Sequence, residues 1–233
     1  MVRLASATAP RRVTEGRSHK PQVSTPDGSV TDWVAWHEEY ADPSSRLSQR
    51  LREVQLQLSA MIDRAPDGPI RIISACAGEG RDVIPVAATH ARRDDINARL
   101  VEFDPTLANR ARDAAPPNVE VVTGDASTTD AFIGATPANI AVFCGIFGNV
   151  TDADIRHTIG VLPSLLAPGG EVIWTRHTAE PDLTPTIRQW FSDAGFEEMG
   201  FVTSPTLFGV GTHRLTTTPA PFEAGVTMFK FLS

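Results

Sequence analysis

The spacing of apolar positions along the chain changes near residue 70. Before it, Trp33, Trp36, His37 and Tyr40 recur at i, i+3, i+4 and i+7, one face of a short helix. Asp42 followed by Pro43 reads as an N-cap and a first helical residue, and Leu47, Leu51, Val54, Leu58 and Met61 carry a second helix to the APDGP turn. From residue 70, short branched apolar runs alternate with helical stretches: IRIISA, 81–91, RLVEF, 105–114, VEVVTG, NIAVFCG, 152–166, GEVIWTR and 183–194. This alternation predicts a parallel sheet covered by helices on both faces. The end departs from it. After DAGFEEMGFVTSP come FGVGTHRLT and GVTMFKFL with no helix between them, which predicts antiparallel pairing at the C-terminus. The expected division is a disordered tail over 1–30, a helical cap over 31–66 and one α/β domain over 67–233.

Composition narrows the partners. With 28 acidic against 21 basic residues the formal charge is −7, and no basic block follows the first 20 residues. A polyanionic partner such as DNA or RNA is disfavoured, and a small molecule fits better. Cys76 and Cys144 are the only cysteines, in apolar surroundings and without the CxxC or Cys/His spacing of a metal site. No metal is expected, and a reducing, cytoplasmic compartment is. The chain has no apolar run near the ~20 residues of a membrane span, and its first 30 residues lack the apolar core of a secretion signal.

The candidate chemistry sits in IISACAGEGRDV, residues 72–83, where a strand runs out into small residues. In an open α/β sheet, ligands bind outside the carboxyl ends of the strands. Gly78 and Gly80 permit unusual backbone angles and close ligand approach, and a helix starting near Arg81 would offer free N–H groups. Glu102 follows 22 residues after Gly80 at the next strand end, the place of a carboxylate that accepts from both ribose hydroxyls of a nucleoside. Asp125, in VVTGDAS, occupies the third strand end, within reach of an adenine amino group. Each acid alone also suits a helix cap or a solvated turn. The three in order, each at its strand end, point to one nucleoside.

Together, IISACAGEG, LVEFDPTLANRAR, VVTGDAS, NIAVFCGIFGNVTD and LAPGGEVIWTRH resemble the successive motifs of class I S-adenosylmethionine-dependent methyltransferases, over about residues 70 to 233. The resemblance implies a Rossmann-like, doubly wound, seven-stranded sheet whose last strand runs antiparallel, with S-adenosylmethionine as cofactor and S-adenosylhomocysteine as product. It places Ala75, Cys76, Ala77, Gly78 and Gly80 against the methionine portion, Glu102 on the ribose and Phe103 beside the adenine. Asp125 and Ala126 would meet the adenine edge, and the backbone of Cys144 and Gly145 the amino-acid end. Two positions depart from the family's pattern. Ser74 stands where an acidic residue is usual and Cys76 where a glycine is usual; Asp82 is the candidate to replace the missing charge on the cofactor's ammonium, and Cys76 is expected to pack, beside Cys144.

Methyl transfer from a sulfonium is an in-line displacement that needs alignment and exclusion of water. A hydroxyl or protonated amine acceptor also needs a base, and His177 in WTRHTAEPD, with Arg176 beside it, follows the fifth strand at the cofactor's edge. Asn149 and Phe147 follow the fourth strand, where the family often contacts its acceptor. Trp33, Trp36, His37 and Tyr40 would wall the acceptor pocket as a lid; each also suits plain packing. His213 and Arg214 are weaker candidates. The resulting expectation is methylation of an oxygen or nitrogen of a small molecule, in specialised metabolism. A nicotinamide-dependent oxidoreductase shares the glycine loop and the acid after strand two, but here the stretch from Asp82 to Ile84, where its third glycine belongs, holds none. A non-catalytic cofactor-binding regulator is a further alternative, motivated by Ser74, and a nucleic-acid methyltransferase a fourth, disfavoured by the charge.

Overall fold

A computed structural model describes residues 39–204 and 208–232. Within them, seven strands form one sheet in the order β3-β2-β1-β4-β5-β7-β6. They are β1 Ile70–Ala75, β2 Ile96–Glu102, β3 Val119–Thr123, β4 Ala138–Phe143, β5 Leu166–His177, β6 Phe196–Thr203 and β7 Phe208–Leu215. β1 to β5 pair in parallel, whereas β7 is antiparallel to β5 and to β6 and lies between them. The α/β assignment and the antiparallel end match the sequence pattern. Sequential strands run outward from β1 to β3, and the chain then returns to place β4 on the other side of β1. The crevice between β1 and β4 is therefore the topological switch point, where such sheets bind ligands.

Helix α1, Arg46–Arg64, precedes the sheet, and α2 (Ile84–Thr89), α3 (Pro105–Ala114), α4 (Asp152–Val161) and α5 (Thr184–Asp193) connect its strands. Alternate strand residues feed two cores. Ile73, Val101, Ala141, Phe143 and Trp174 meet α4 and α5. Ile72, Leu100, Ile140, Val142 and Ile173 meet α1, through Val54, Leu58, Met61 and Ile62, and α2. Each of these α1 side chains is at most 1% exposed, so each contributes about 1.5–3 kcal/mol of apolar burial. At its C-terminal end α1 is pinned by Arg64, which shares the buried Glu171 carboxylate of β5 with Arg214 of β7, at 2.6 and 2.8 Å.

Four local expectations are corrected. Asp42 does not cap α1: it accepts from the N–H and hydroxyl of Ser44, and Ser45 caps by accepting from Ser48 N–H. A residue at Ncap must be extended with its oxygen facing N2 or N3, and Ser45 meets that three residues later than the Asp-Pro pair suggests. α2 begins at Ile84 and has six residues, the stretch 81–83 being a turn, so no long helix offers its N-terminus to the loop. The helix expected over 152–166 ends at Val161, followed by a 3-10 turn through Ser164. The run GVTMFKFL is not a strand of the sheet. β7 has β5 and β6 as its two neighbours and does not pair with the run, which instead makes single bridges from Thr227 to Thr128 and Phe231 to Val150 and accepts at Met228 C=O from Thr158 Oγ1 of α4, burying Met228 and Phe229.

Candidate functional site at the carboxyl rim

The loop after β1 is held in the left-handed region three times within five residues, at Cys76 (φ 53°), Gly78 (φ 57°) and Gly80 (φ 71°). A Cβ on Gly80 would overlap Ile84 Cδ1 and lie 2.8 Å from Leu100 Cδ2, so a side chain there strains the left-handed backbone and displaces both neighbours. Glu102, 8% exposed at the end of β2, accepts from Gly78 N–H and from Asp104 N–H, both at 2.8 Å. The glycine loop is thereby fastened to the second strand end by a buried carboxylate.

The neighbouring acids separate by role. Asp104 caps α3, accepting from Thr106 N–H at 2.7 Å and Leu107 N–H at 3.3 Å. Glu79 is clamped by Arg81 and Arg110. Asp125 is exposed and turns back to accept from Ser127 N–H at 2.8 Å, with Ala126 buried behind it. Gly124 N–H donates to Glu102 C=O at 2.9 Å, which sets the Asp125 turn beside the Glu102 strand end. Gly78, Glu102 and Asp125 thus stand on three adjacent parallel strands at one rim. Phe103 is half-buried between Glu102 and Asp104.

Across the switch point, β1 carries buried Ser74, paired with Val142 of β4. Ala75 is buried, Ala77 is half-buried and donates its N–H to Val101 C=O, and Cys144 and Gly145 follow β4. Cys76 and Cys144 do not pack as a pair: Cys76 lies against the core beneath α4 and α5, Cys144 in the core beneath α1. Burial pushes both thiols up, with Glu102 and Asp125 adding to the effect at Cys76, so neither is a thiolate nucleophile near neutral pH. Gly145 (φ 78°) donates its N–H to Thr175 Oγ1 at 2.9 Å, and its C=O accepts from Asn149 Nδ2 at 2.7 Å. Asn149 therefore shapes this loop.

Phe147 is placed differently from the expectation. It is fully buried and packs on Trp174, ring centroids 5.9 Å apart, so the core and not the rim receives its side chain. Its carbonyl accepts from Arg176. His177 lies at the end of β5, with Cδ2 3.7 Å from a Cβ built on Gly148, so the imidazole faces the loop that follows β4. Burial and then the Arg176 charge hold its pKa below the usual histidine range; Arg46 adds to this, while a backbone bond to Ala179 and the Asp182 charge oppose it. Burial likewise lowers Arg176. Among the described residues, Arg176 Nε and His177 Nδ1 are buried without a hydrogen-bond partner, two adjacent orphans on this rim. His213 and Arg214 lie within β7, away from the rim: His213 is in the core and Arg214 pairs with Glu171.

Trp33, Trp36 and His37 lie outside the described residues. Tyr40 is described and half-buried; its hydroxyl accepts from Arg50 Nη2 at 3.3 Å and its ring lies under Arg81, 5.1 Å from the guanidinium carbon. The sequence reading assigned nothing to Arg46 and Arg50. Their i, i+4 spacing on α1 was the available signal, hidden among the many arginines of that helix.

No protein-family model matches the chain, and no curated protein does. Solved structures do. An O-methyltransferase family protein from Burkholderia thailandensis has TM-score 0.61 at 18% identity, over 80% of this chain and 60% of that one. Magnesium protoporphyrin IX methyltransferase from Synechocystis, solved with S-adenosylmethionine, has TM-score 0.60 at 13% identity, over 79% and 91%. The 1,6-didemethyltoxoflavin N1-methyltransferase of Burkholderia thailandensis, solved with its acceptor and S-adenosylhomocysteine, has TM-score 0.58 at 16% identity, over 80% and 86%. At these identities the shared property is the fold.

Proposed function

Starting from a chain that has the fold of class I S-adenosylmethionine-dependent methyltransferases, we propose that it transfers a methyl group from S-adenosylmethionine to an oxygen or nitrogen of a small molecule. The observation that carries this reading is the buried Glu102 carboxylate bonded to Gly78 N–H, which joins the glycine loop to the second strand end. That suits a ribose diol: an acceptor-only group, desolvated, beside a loop whose left-handed glycines let a ligand come close. In this reading Ala75 to Gly80 hold the methionine portion, Asp82 its ammonium, Glu102 the ribose, and Phe103, Asp125 and Ala126 the adenine. The bound cofactor supplies the electrophilic methyl group. The nicotinamide alternative is disfavoured by the sheet, because β7 stands antiparallel between β5 and β6 where dinucleotide-binding sheets continue in parallel.

His177 is the proposed base. An imidazole whose pKa is depressed is neutral at physiological pH, the form that takes a proton from a hydroxyl or ammonium. Arg176 and Tyr40 line the acceptor side, and Asn149 keeps the loop after β4 in place for it. Replacing His177 by Ala is expected to lower turnover by about 10²–10⁴-fold with cofactor affinity unchanged. Because the folded pKa lies below the ordinary value, the wild-type rate should hold its plateau to more acidic pH than an unperturbed histidine allows, then fall as the ring protonates. An H177A variant with normal turnover removes His177 from the mechanism. Isothermal titration tests the cofactor: S-adenosylhomocysteine is expected to bind, and binding of a nicotinamide dinucleotide in its absence would overturn the reading.

A further inference from the structure

At the end of the sheet opposite the carboxyl rim, a cavity of about 250 Å³ opens between the C-terminus of α1 and the starts of β4 and β5. Glu171 and His177 stand toward opposite ends of β5, roughly 20 Å apart along the strand, so the cavity is separate from the candidate cofactor site. A water occupies about 30 Å³ in the liquid, and this space admits a ring-sized organic molecule.

Four polar side chains line it: Arg64, Asn139, Glu171 and Arg214. Their acceptors are spent. Glu171 Oε1 accepts from Arg64 Nε at 2.9 Å and Arg214 Nη2 at 2.8 Å, and its Oε2 from Arg64 Nη2 at 2.6 Å. Asn139 Oδ1 accepts from Arg71 N–H at 2.8 Å, which fixes the amide and leaves Nδ2 over. The backbone carbonyls of Ala65 and Pro66 at the border accept from Arg92, at 2.7 and 2.8 Å. Donors remain. Both guanidiniums spend their Nε and Nη2 groups on Glu171, so neither Nη1 makes a hydrogen bond among the described residues. The two arginine side chains are 30% and 33% exposed, open enough for a ligand to reach those groups. One carboxylate against two guanidiniums leaves a positive charge uncompensated, and Met61, Ile140, Pro66 and Pro168 supply apolar wall beside it.

We propose that this hollow is a second binding site, for a small organic carboxylate with an apolar body, its carboxylate received by Arg64 Nη1, Arg214 Nη1 and Asn139 Nδ2. An anion brings the acceptors that the lining lacks and balances the surplus charge, through charge-assisted bonds from the guanidiniums. The apolar body covers the rest of the wall. A cation or a neutral donor meets neither condition. The site is independent of the cofactor reading and stands or falls without it.

Calorimetry on the full chain tests it with benzoate, its neutral isostere benzamide, and inorganic phosphate. Benzoate is expected to bind the wild type at least about 10-fold more tightly than either of the others. Arg214→Gln keeps the Arg64–Glu171 bridge but removes the surplus charge, and is expected to weaken benzoate about 10- to 100-fold with benzamide unchanged. Asn139→Asp keeps an acceptor for Arg71 N–H and sets a second carboxylate at the hollow, so a loss at least as large is expected. Equal wild-type affinity for benzoate and benzamide overturns the site, as does unchanged benzoate affinity in R214Q. Tighter binding of phosphate than of benzoate refutes the apolar body. Should R214Q not fold, N139D decides in its place, and benzoate affinity equal to that of the wild type refutes the site.

Discussion

At the residue scale, the glycine loop depends on conformations that side chains resist. Gly80 combines a φ of 71° with immediate contact to Ile84 and Leu100, so Gly80→Ala adds left-handed strain and an overlap in a packed layer. Together these are expected to cost about 2–4 kcal/mol, read as a fall in the urea midpoint at constant m-value. An unchanged midpoint would mean that the loop yields without consequence. Cys76 is the opposite case, a non-glycine at φ 53°. Cys76→Gly removes that strain but also the contact of the thiol with the core, and adds chain entropy to the unfolded state. The terms nearly cancel, and a change within about 1 kcal/mol is expected in the same titration.

At the scale of elements, the antiparallel pair β5–β7 buries a histidine that the rim does not use. His213 stacks on Phe191 at 4.2 Å and accepts at Nδ1 from Trp174 Nε1 at 3.1 Å, which leaves its hydrogen on Nε2, 3.7 Å from Glu198. Burial lowers its pKa to about 4; Glu198 opposes this and Arg188 adds to it. Since the folded value lies below the ordinary 6.5, the unfolded chain binds the proton first as pH falls. The stability contributed by the neutral ring is complete above about pH 6.5 and is lost down to about pH 4, roughly 3 kcal/mol in all. His213→Gln should flatten that window in denaturant titrations at several pH values; an equally steep fall in the variant would assign it to other groups. This role was hidden in the sequence, because GTHRL reads as a strand whichever neighbour it has, and only the insertion of β7 between β5 and β6 buries its centre. Strands β1 to β5 and β7 and the helix α3 were legible because the period of their apolar positions is a local fact, whereas β6, Phe196–Thr203, was not marked as a strand. The final run GVTMFKFL misled because alternation signals an extended chain and says nothing of its partner, and the second neighbour of β7 is β6. Glu102 was readable from its spacing, whereas the contact of α1 with the turn after the glycine loop, Gln55 Nε2 donating to Arg81 C=O at 2.8 Å, requires knowing that α1 folds back over it.

At the scale of the molecule, the candidate site is assembled from the ends of β1, β2, β3, β4 and β5 together with α1, so occupation of it bears on the whole cooperative unit. A ligand present at about 100 times its Kd stabilises the folded state by ~2.7 kcal/mol, which for a chain of this size raises the melting temperature by roughly 5–10 °C. S-adenosylhomocysteine is expected to produce that shift. The net charge of −7 acts in the same direction: it attracts the cationic sulfonium of S-adenosylmethionine, is indifferent to neutral S-adenosylhomocysteine and opposes anionic dinucleotides. Melting curves taken with each ligand at matched concentration and low salt should therefore rank S-adenosylhomocysteine well above a nicotinamide dinucleotide, with a single transition in each case. A rise with the dinucleotide alone would contradict the assignment, because the uncompensated negative charge of the chain gives that ligand no reason to bind.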